Sequence, residues 1–360
     1  MGRRQPIDEM KVDNQERKKG KKGDKEVAVF EIAERIKEGY RIRKEDEEII
    51  EQLKSSEIDK LLMAADMLRE HFKGDFVDLC SIIAGKSGNC GENCKFCAQS
   101  AFNHTQCNVY KLLDYETIYN EARSNELEGV QRFAIVNSGK GPTESEFEEL
   151  IKIYERLVQE VGISLCASLG FLTQEQFDRL YSAGVRRYHN NIETSRGYFP
   201  HICTTHSFDD KIANIKRAKK AGLEVCSGGI IGMGETMDDR IDMAFDLMEL
   251  EIRSIPINAL IPIKGTMLEN VPQLTEDEIL RTVAIFRFIN PEADIRLAAG
   301  RSLIKNDGER AFLGGASATI TGNMLTTSGS TIKSDMEMFE RLGRKVRDIC
   351  GVQIRSNMLK

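Results

Sequence analysis

The sequence contains no run of eighteen apolar residues, so no helix is expected to span a membrane. Its first residues, MGRRQPIDEMKVDNQERKKGKKGDK, lack the apolar segment that leads a secreted chain. They are charged and offer no face to bury, so residues 1–25 are expected to form a flexible tail. On composition, that solvated tail is preferred over an RNA or membrane contact through the basic stretch Lys18–Lys25. Positive charge is not in excess: 51 Lys and Arg against 57 Asp and Glu leave a net charge of −6, which argues against a nucleic-acid partner. Tryptophan is absent, with no functional consequence. The missing leader points to a reducing cytoplasm, where nine cysteines read as metal ligands more readily than as disulfides.

What is present describes one large α/β unit. A length of 360 residues with 41% apolar content fills the core of one barrel or of two modest domains. Residues 26–75 place apolar side chains at helical spacing, in VAVFEIAERIKEGYRI and IDKLLMAADMLREHF. From residue 76 onward, eight short apolar runs alternate with amphipathic helices: 76–83, 130–136, 163–170, 185–193, 223–231, 254–262, 293–300 and 316–322. Thr143 with Glu146, and Thr173 with Gln176, have the spacing of helix capping boxes, and Gly184 and Gly222 stand where helices should stop. No Rossmann glycine turn follows a strand. The expected fold is therefore a (β/α)8 barrel of the TIM type over residues 76–323, in preference to an open doubly wound sheet. A final helix, IKSDMEMFERLGRKV, and a tail occupy 324–360.

The most specific signal is SGNCGENCKFCAQS, residues 87–100, where Cys90, Cys94 and Cys97 are spaced C-x3-C-x2-C with Phe96 before the last. A structural zinc usually closes on four ligands in two pairs. Three thiolates in one loop after the first strand can instead wrap three corners of an iron–sulfur cubane, leaving its fourth iron open to a small molecule. A zinc knuckle is the alternative.

Elsewhere, Cys80, Cys166, Cys226 and Arg296 fall on the first, third, fifth and seventh runs. Alternate strands of such a barrel build one interior layer, so three thiols and a guanidinium are placed at one depth. Each cysteine alone would read as a small core residue, but three beside a buried arginine read as a second metal–sulfide centre. Arg132 lies on the same face of its strand as Ala134 and should point inward near that centre. Asn191 and Glu193 alternate with Ile192 at the end of the fourth run and can both face inward. Cys107 and Cys203 lie in loops near the mouth, where either could supply a further ligand. Cys350 follows the barrel and is read as structural.

The loop spacing is the signature of the radical S-adenosylmethionine superfamily. AGKSGNCGENCKFCAQS, CSGGIIGMGET, SIPINALIPIKGT and IRLAAGR resemble, in order, the successive motifs of the biotin synthase family over roughly residues 45–345. The resemblance implies a (β/α)8 barrel and a [4Fe–4S] cluster on Cys90, Cys94 and Cys97 that chelates S-adenosylmethionine. It implies a 5′-deoxyadenosyl radical that abstracts hydrogen from C9 and C6 of dethiobiotin, which a sulfur atom then bridges. It also implies an auxiliary [2Fe–2S] cluster held by three cysteines and one arginine. Cys166, Cys226 and Arg296 match three of those four positions. The fourth should lie in an RFC context, but this chain reads RFA, and Ala134 cannot ligate iron. Cys80 stands where the familiar enzyme has a serine. It is expected to replace the missing ligand, on a moved or larger cluster carrying extra sulfide.

By the same resemblance, Glu193 accepts from the cofactor ribose. Asn191 and Asn258 hold the ureido ring, whose acceptor and two N–H donors suit amide side chains. Gly228, Ile230 and Gly232 lie beside the adenine, Asn137 and Ser138 meet the methionine end, and Lys211 replaces an arginine that pairs with the methionine carboxylate. An exposed helix position is the other reading of Lys211. A homodimer and a reduced flavodoxin or ferredoxin as electron donor also follow from the resemblance. The rivals are another radical enzyme of the superfamily, against which Asn191 with Asn258 argues, and a non-catalytic iron–sulfur sensor.

Overall fold

A computed structural model describes residues 28–322 and 330–346. The expected tail at 1–25, Cys350 and the C-terminal tail lie outside the described residues. Three helices come first: α1 (residues 28–37), α2 (Glu47–Ser55) and α3 (Ile58–Lys73). The alternating series then runs β1 (Phe76–Lys86), α4 (Tyr115–Leu127), β2 (Arg132–Asn137), α5 (Glu144–Glu160), β3 (Ser164–Ser168), α6 (Gln174–Ser182) and β4 (Arg187–His189). It continues with α7 (Phe199–Ile202), α8 (Phe208–Lys220), β5 (Glu224–Cys226), β6 (Gly229–Ile231), α9 (Met237–Glu249), β7 (Ser254–Ala259), α10 (Glu276–Ile289) and β8 (Asp294–Leu297). Next come α11 (Lys305–Phe312), β9 (Ala318–Ile320), α12 (Ile332–Arg341) and β10 (Lys345–Val346).

The strands pair in parallel and in sequence order, and β9 returns to β1 through Asp78–Ala318 and Cys80–Ile320, which closes the barrel. Closure excludes the open sheet. The fifth apolar run is broken into β5 and β6, which occupy one place in the wall. β5 meets β7 at Cys226–Ser254, and β6 meets it from Gly229–Ile257 onward. At the break the backbones nearly touch, since a Cβ on Gly228 would stand 1.9 Å from the Pro256 carbonyl oxygen. Only glycine fits there.

Local chemistry sets the helices. Thr143 with Glu146 and Thr173 with Gln176 both form complete capping boxes. The α5 stripe of Phe147, Leu150, Ile151, Tyr154 and Leu157 is buried against the wall. α10 is buried along most of its length because it lies between the wall and α3, whose Leu61, Leu62, Ala65 and Leu68 are also buried. The last helix is shorter than its sequence pattern: α12 stops at Arg341, Gly343 takes a φ of 66°, and Lys345–Val346 pair with Phe76–Val77 at the start of β1. Among the described residues, no helix is long and apolar enough to cross a membrane.

Candidate active site

β1 runs to Lys86 and releases the chain into a long loop at the C-terminal end of the barrel, the end where such folds build their sites. Main-chain bonds shape this loop. The Cys90 amide donates to the Gln99 carbonyl (2.9 Å), and the Ala101 amide donates to the Cys90 carbonyl (2.8 Å). Asn103 Nδ2 donates to the carbonyls of Cys94 (3.2 Å) and Cys97 (2.8 Å). Ser138 Oγ donates to the Gly88 carbonyl at 2.8 Å and ties the end of β2 to the loop. Cys90, Cys94 and Cys97 are all half-buried. Burial pushes the Cys97 thiol up to about 11, with Cys90 and Glu193 adding to the rise. Cys94 and Cys97 resist ionising alone, and with Cys90 they form a triplet of thiols that suits a group whose iron takes up their charge, so this donor set fits an iron–sulfur cluster.

Around the loop stand the groups expected to meet the cofactor. Lys211 is buried, which excludes an ordinary exposed helix position. Its Nζ reaches Glu193 Oε1 at 3.3 Å and lies 5.6 Å from the Phe171 ring centroid. Glu193 has a φ of 72°, a left-handed conformation that non-glycine residues seldom adopt, and its field bears on Cys94 and Cys97. Asn137 Oδ1 is buried with no hydrogen-bond partner among the described residues, as an acceptor awaiting a donor would be. Ile230 donates its amide to the Glu193 carbonyl (2.8 Å), so the glycine segment is stitched to the end of the fourth strand. Gly232 and Met233 donate their amides to the Glu235 carboxylate, each at 2.7 Å, and Arg240 neutralises it. Asn191 Oδ1 accepts from the Gly228 amide (3.1 Å), which leaves its NH2 group to offer. Asn258 donates to the Gly229 carbonyl (3.0 Å) and accepts from the Ala299 amide (3.2 Å).

Deeper in the barrel, Cys80, Cys166, Cys226 and Arg296 converge. Cys80 Sγ donates to the Ser81 carbonyl at 3.5 Å. Neighbouring Cys166 and then the Arg296 guanidinium lower the Cys80 thiol, while Cys80 and burial hold the Cys166 thiol well above the usual range. Burial opposes ionisation of Cys226, but the His189 hydrogen bond and the guanidiniums of Arg296 and Arg187 outweigh it and bring its pKa down to about 6. Ala134 sits in register between Ile82 and Cys166 and contributes only a methyl. Beneath the thiols lies a charged floor. The Asp78 carboxylate pairs with Arg296, with Arg132 at 3.0 Å and with Arg187 at 3.7 Å. Burial opposes its ionisation, yet the three guanidiniums hold its carboxyl far below the usual range. Arg132 does point inward, but its nearest charge is Asp78.

Sequence reasoning missed Asp78, Arg187 and His189. Strand parity would have found them: Asp78 is two residues before Cys80, and Arg187 and His189 are four and two before Asn191. It also missed Glu92 and His206. Cys94 Sγ donates to Cys203 Sγ at 3.7 Å, and His206 lies against both Cys203 and Glu92. Cys107 is half-buried in the same long loop, outside that group.

Residues 86–247 match the family model "Radical SAM superfamily", and residues 256–345 match "Biotin and Thiamin Synthesis associated domain". A biotin synthase of Clostridium perfringens is 56% identical over 82% of this chain and 92% of its own length. One of Alkaliphilus metalliredigens is 51% identical over 88% and 98%. The chain belongs to the biotin synthase family. Among solved structures, methylornithine synthase is similar with a TM-score of 0.76 at 19% identity, covering 88% of this chain and 97% of that one. The hydrogenase maturase HydG gives 0.74 at 18% identity, covering 89% and 75%. These two show the fold alone.

Proposed function

We propose that this chain is a biotin synthase that inserts sulfur between C6 and C9 of dethiobiotin. The observation that carries the proposal is the stacking of two thiol groups in one barrel: Cys90, Cys94 and Cys97 on the mouth loop, and Cys80, Cys166 and Cys226 on inward strand positions. A [4Fe–4S] cluster with bound S-adenosylmethionine supplies a carbon radical, and an auxiliary iron–sulfur cluster, [2Fe–2S] or a larger one carrying extra sulfide, supplies the sulfur.

The chain's own residues bind, orient and shield. Cys90, Cys94 and Cys97 hold the first cluster; Cys80, Cys166, Cys226 and Arg296 hold the second. Cys80 takes the place that Ala134 leaves empty. Glu193 receives ribose hydroxyls, Lys211 pairs with the methionine carboxylate, and Asn137 accepts from the amino group with its free Oδ1. Ser138 holds the loop edge, and Gly228, Ile230 and Gly232 keep the wall low beside the adenine. Asn191 gives its NH2 group to the ureido oxygen, while Asn258, fixed by two backbone bonds, faces a ureido N–H with its second lone pair. Arg132, Arg187 and Arg296 balance anionic sulfur with their positive charge, and the closed wall keeps water from the reacting carbons. We further place the protein in the cytoplasm, as a homodimer reduced by a flavodoxin or ferredoxin.

The test is anaerobic reconstitution with S-adenosylmethionine, a strong reductant and dethiobiotin, followed by mass spectrometry. Biotin with two deoxyadenosines per biotin supports the proposal. Deoxyadenosine without biotin favours a different substrate, and neither product favours a sensor.

A further inference from the structure

Cys203 and the Thr204–His206 segment after it take no part in the function proposed above, yet they are built into the mouth of the barrel. Cys203 is buried just past the end of α7 and meets the half-buried Cys94 of the mouth loop sulfur to sulfur, at 3.7 Å. We propose that Cys94 and Cys203 are a redox modification site: while the loop carries no cluster, they join in a reversible disulfide by exchange with a low-molecular-weight disulfide.

The two segments run past each other in opposite directions, and their contacts step through the cysteines. Lys95 donates its amide to the Ile202 carbonyl at 2.9 Å. One step away Cys94 faces Cys203. One step further, Asn93 Oδ1 accepts from the amides of Thr204 (2.9 Å) and Thr205 (3.2 Å). Beyond it, Glu92 is buried, bonds to His206 and accepts from Thr205 Oγ1 at 2.8 Å. Residues that face each other in such an antiparallel arrangement have Cα atoms about 4.5–5.5 Å apart. That lies inside the span of about 4.4–6.8 Å that a disulfide bridges. The backbone at Cys203 is extended, with φ −154° and ψ 141°. Its sulfur is steadied by Asn93 Oδ1 at 3.4 Å and Thr205 Oγ1 at 3.5 Å. Side-chain rotation is then enough to bring the sulfurs to bonding distance, about 2.05 Å, with the laced backbones left in place.

The chemistry balances as two exchange steps. The Cys94 thiolate attacks one sulfur of the small disulfide, whose S–S bond breaks and releases one thiolate. Cys203, as its thiolate, then attacks the Cys94 sulfur of the mixed disulfide and releases the second. The two protons lost by the cysteines end on the two small thiols. The protein pair is oxidised by two electrons and the small disulfide is reduced by two. Cys94 is the sulfur attacked first because it is half-buried and Cys203 is buried.

A Cys94 sulfur tied to Cys203 cannot also bind iron, so the disulfide and the loop cluster exclude each other. That exclusion rests on the proposed role of Cys94 as a cluster ligand; the disulfide does not.

The experiment uses the full-length chain freed of iron, reduced, and exposed anaerobically to oxidised glutathione. Free thiols are then alkylated, and tryptic peptides are mapped by mass spectrometry without reduction. Cleavage after Lys86, Lys95, Arg196 and Lys211 places Cys94 in peptide 87–95 and Cys203 in peptide 197–211. The two peptides should be found linked in most chains and separate after dithiothreitol. Cys90 shares peptide 87–95, so Cys90→Ser should keep the link. A glutathione adduct on 87–95 with 197–211 free, a link from 87–95 to 96–111 in its place, or a link lost in Cys90→Ser would each overturn the proposal. The chain carrying its clusters should stay unlinked under the same treatment. A link in both forms would leave the disulfide standing and reject Cys94 as a cluster ligand.

Discussion

The mouth loop and the barrel floor both gather groups that suit iron and sulfur, and they are built in opposite ways. The loop draws Cys90, Cys94 and Cys97 from eight consecutive positions and holds them largely with hydrogen bonds made inside the loop, by its main chain and by Asn103. The floor draws Asp78, Arg132, Arg187 and Arg296 from four strands and holds them by charge balance in a buried space. A locally built site can lose its ligands and keep its fold. A site built from distant strands cannot, because its members also close the barrel. The difference separates residues whose loss costs chemistry from residues whose loss costs the structure.

The hardest way to break this contrast is Asp78→Asn. It leaves Arg296 without its carboxylate and Arg187 and Arg132 with only the exposed Glu224, and removing one partner of a buried charge network costs about 3–5 kcal/mol. Urea denaturation of the iron-free chain should show that loss. Cys90→Ser is the counterpart at the mouth. It should lower deoxyadenosine release by about 100-fold or more, while the unfolding free energy of the iron-free chain, from urea denaturation, changes by less than about 1 kcal/mol.

A finer separation comes from Cys80→Ala, which should keep deoxyadenosine release and abolish biotin, with iron per chain falling. In that background Ala134→Cys, in register with Cys166, should restore the lost iron; failure to do so would reject Cys80 as the substitute ligand. Lys211→Ala should weaken S-adenosylmethionine binding by about tenfold, equivalent to about 1.4 kcal/mol, and Lys211→Arg should recover most of it; isothermal titration would check both. The smallest effect belongs to Ser138→Ala. It removes one hydrogen bond between strand and loop and should cost about 1 kcal/mol by thermal unfolding.

Some of this molecule could be read in the sequence because its signals are short-range. Capping boxes need a spacing of three, an apolar stripe needs the helical period, and the loop thiols need only eight residues. The cysteines of the inner layer were reachable because a barrel strand alternates inward and outward, so once the strands are counted Cys80, Cys166, Cys226 and Arg296 fall on one side. The same rule was not carried to Asp78, Arg187 and His189, whose residue types resemble ordinary surface polar groups until the wall closes around them. Lys211 shows the limit clearly: its helix pattern allows an exposed position, and only the docking of α8 against β5 and α6 buries it beside Glu193.

By itself, the sequence determined the alternating strands and helices, the helix starts, the thiol triplet and the family to which the chain belongs. Those are set by contacts between residues a few positions apart, or by side-chain identities that survive without a structure. The tertiary structure alone decided that one aspartate sits among three arginines, that the fifth strand breaks where Gly228 meets Pro256, and that Cys94 meets Cys203 across 109 positions. Such pairings depend on where the closed barrel brings distant segments to within a few ångströms, and sequence spacing carries no record of that distance.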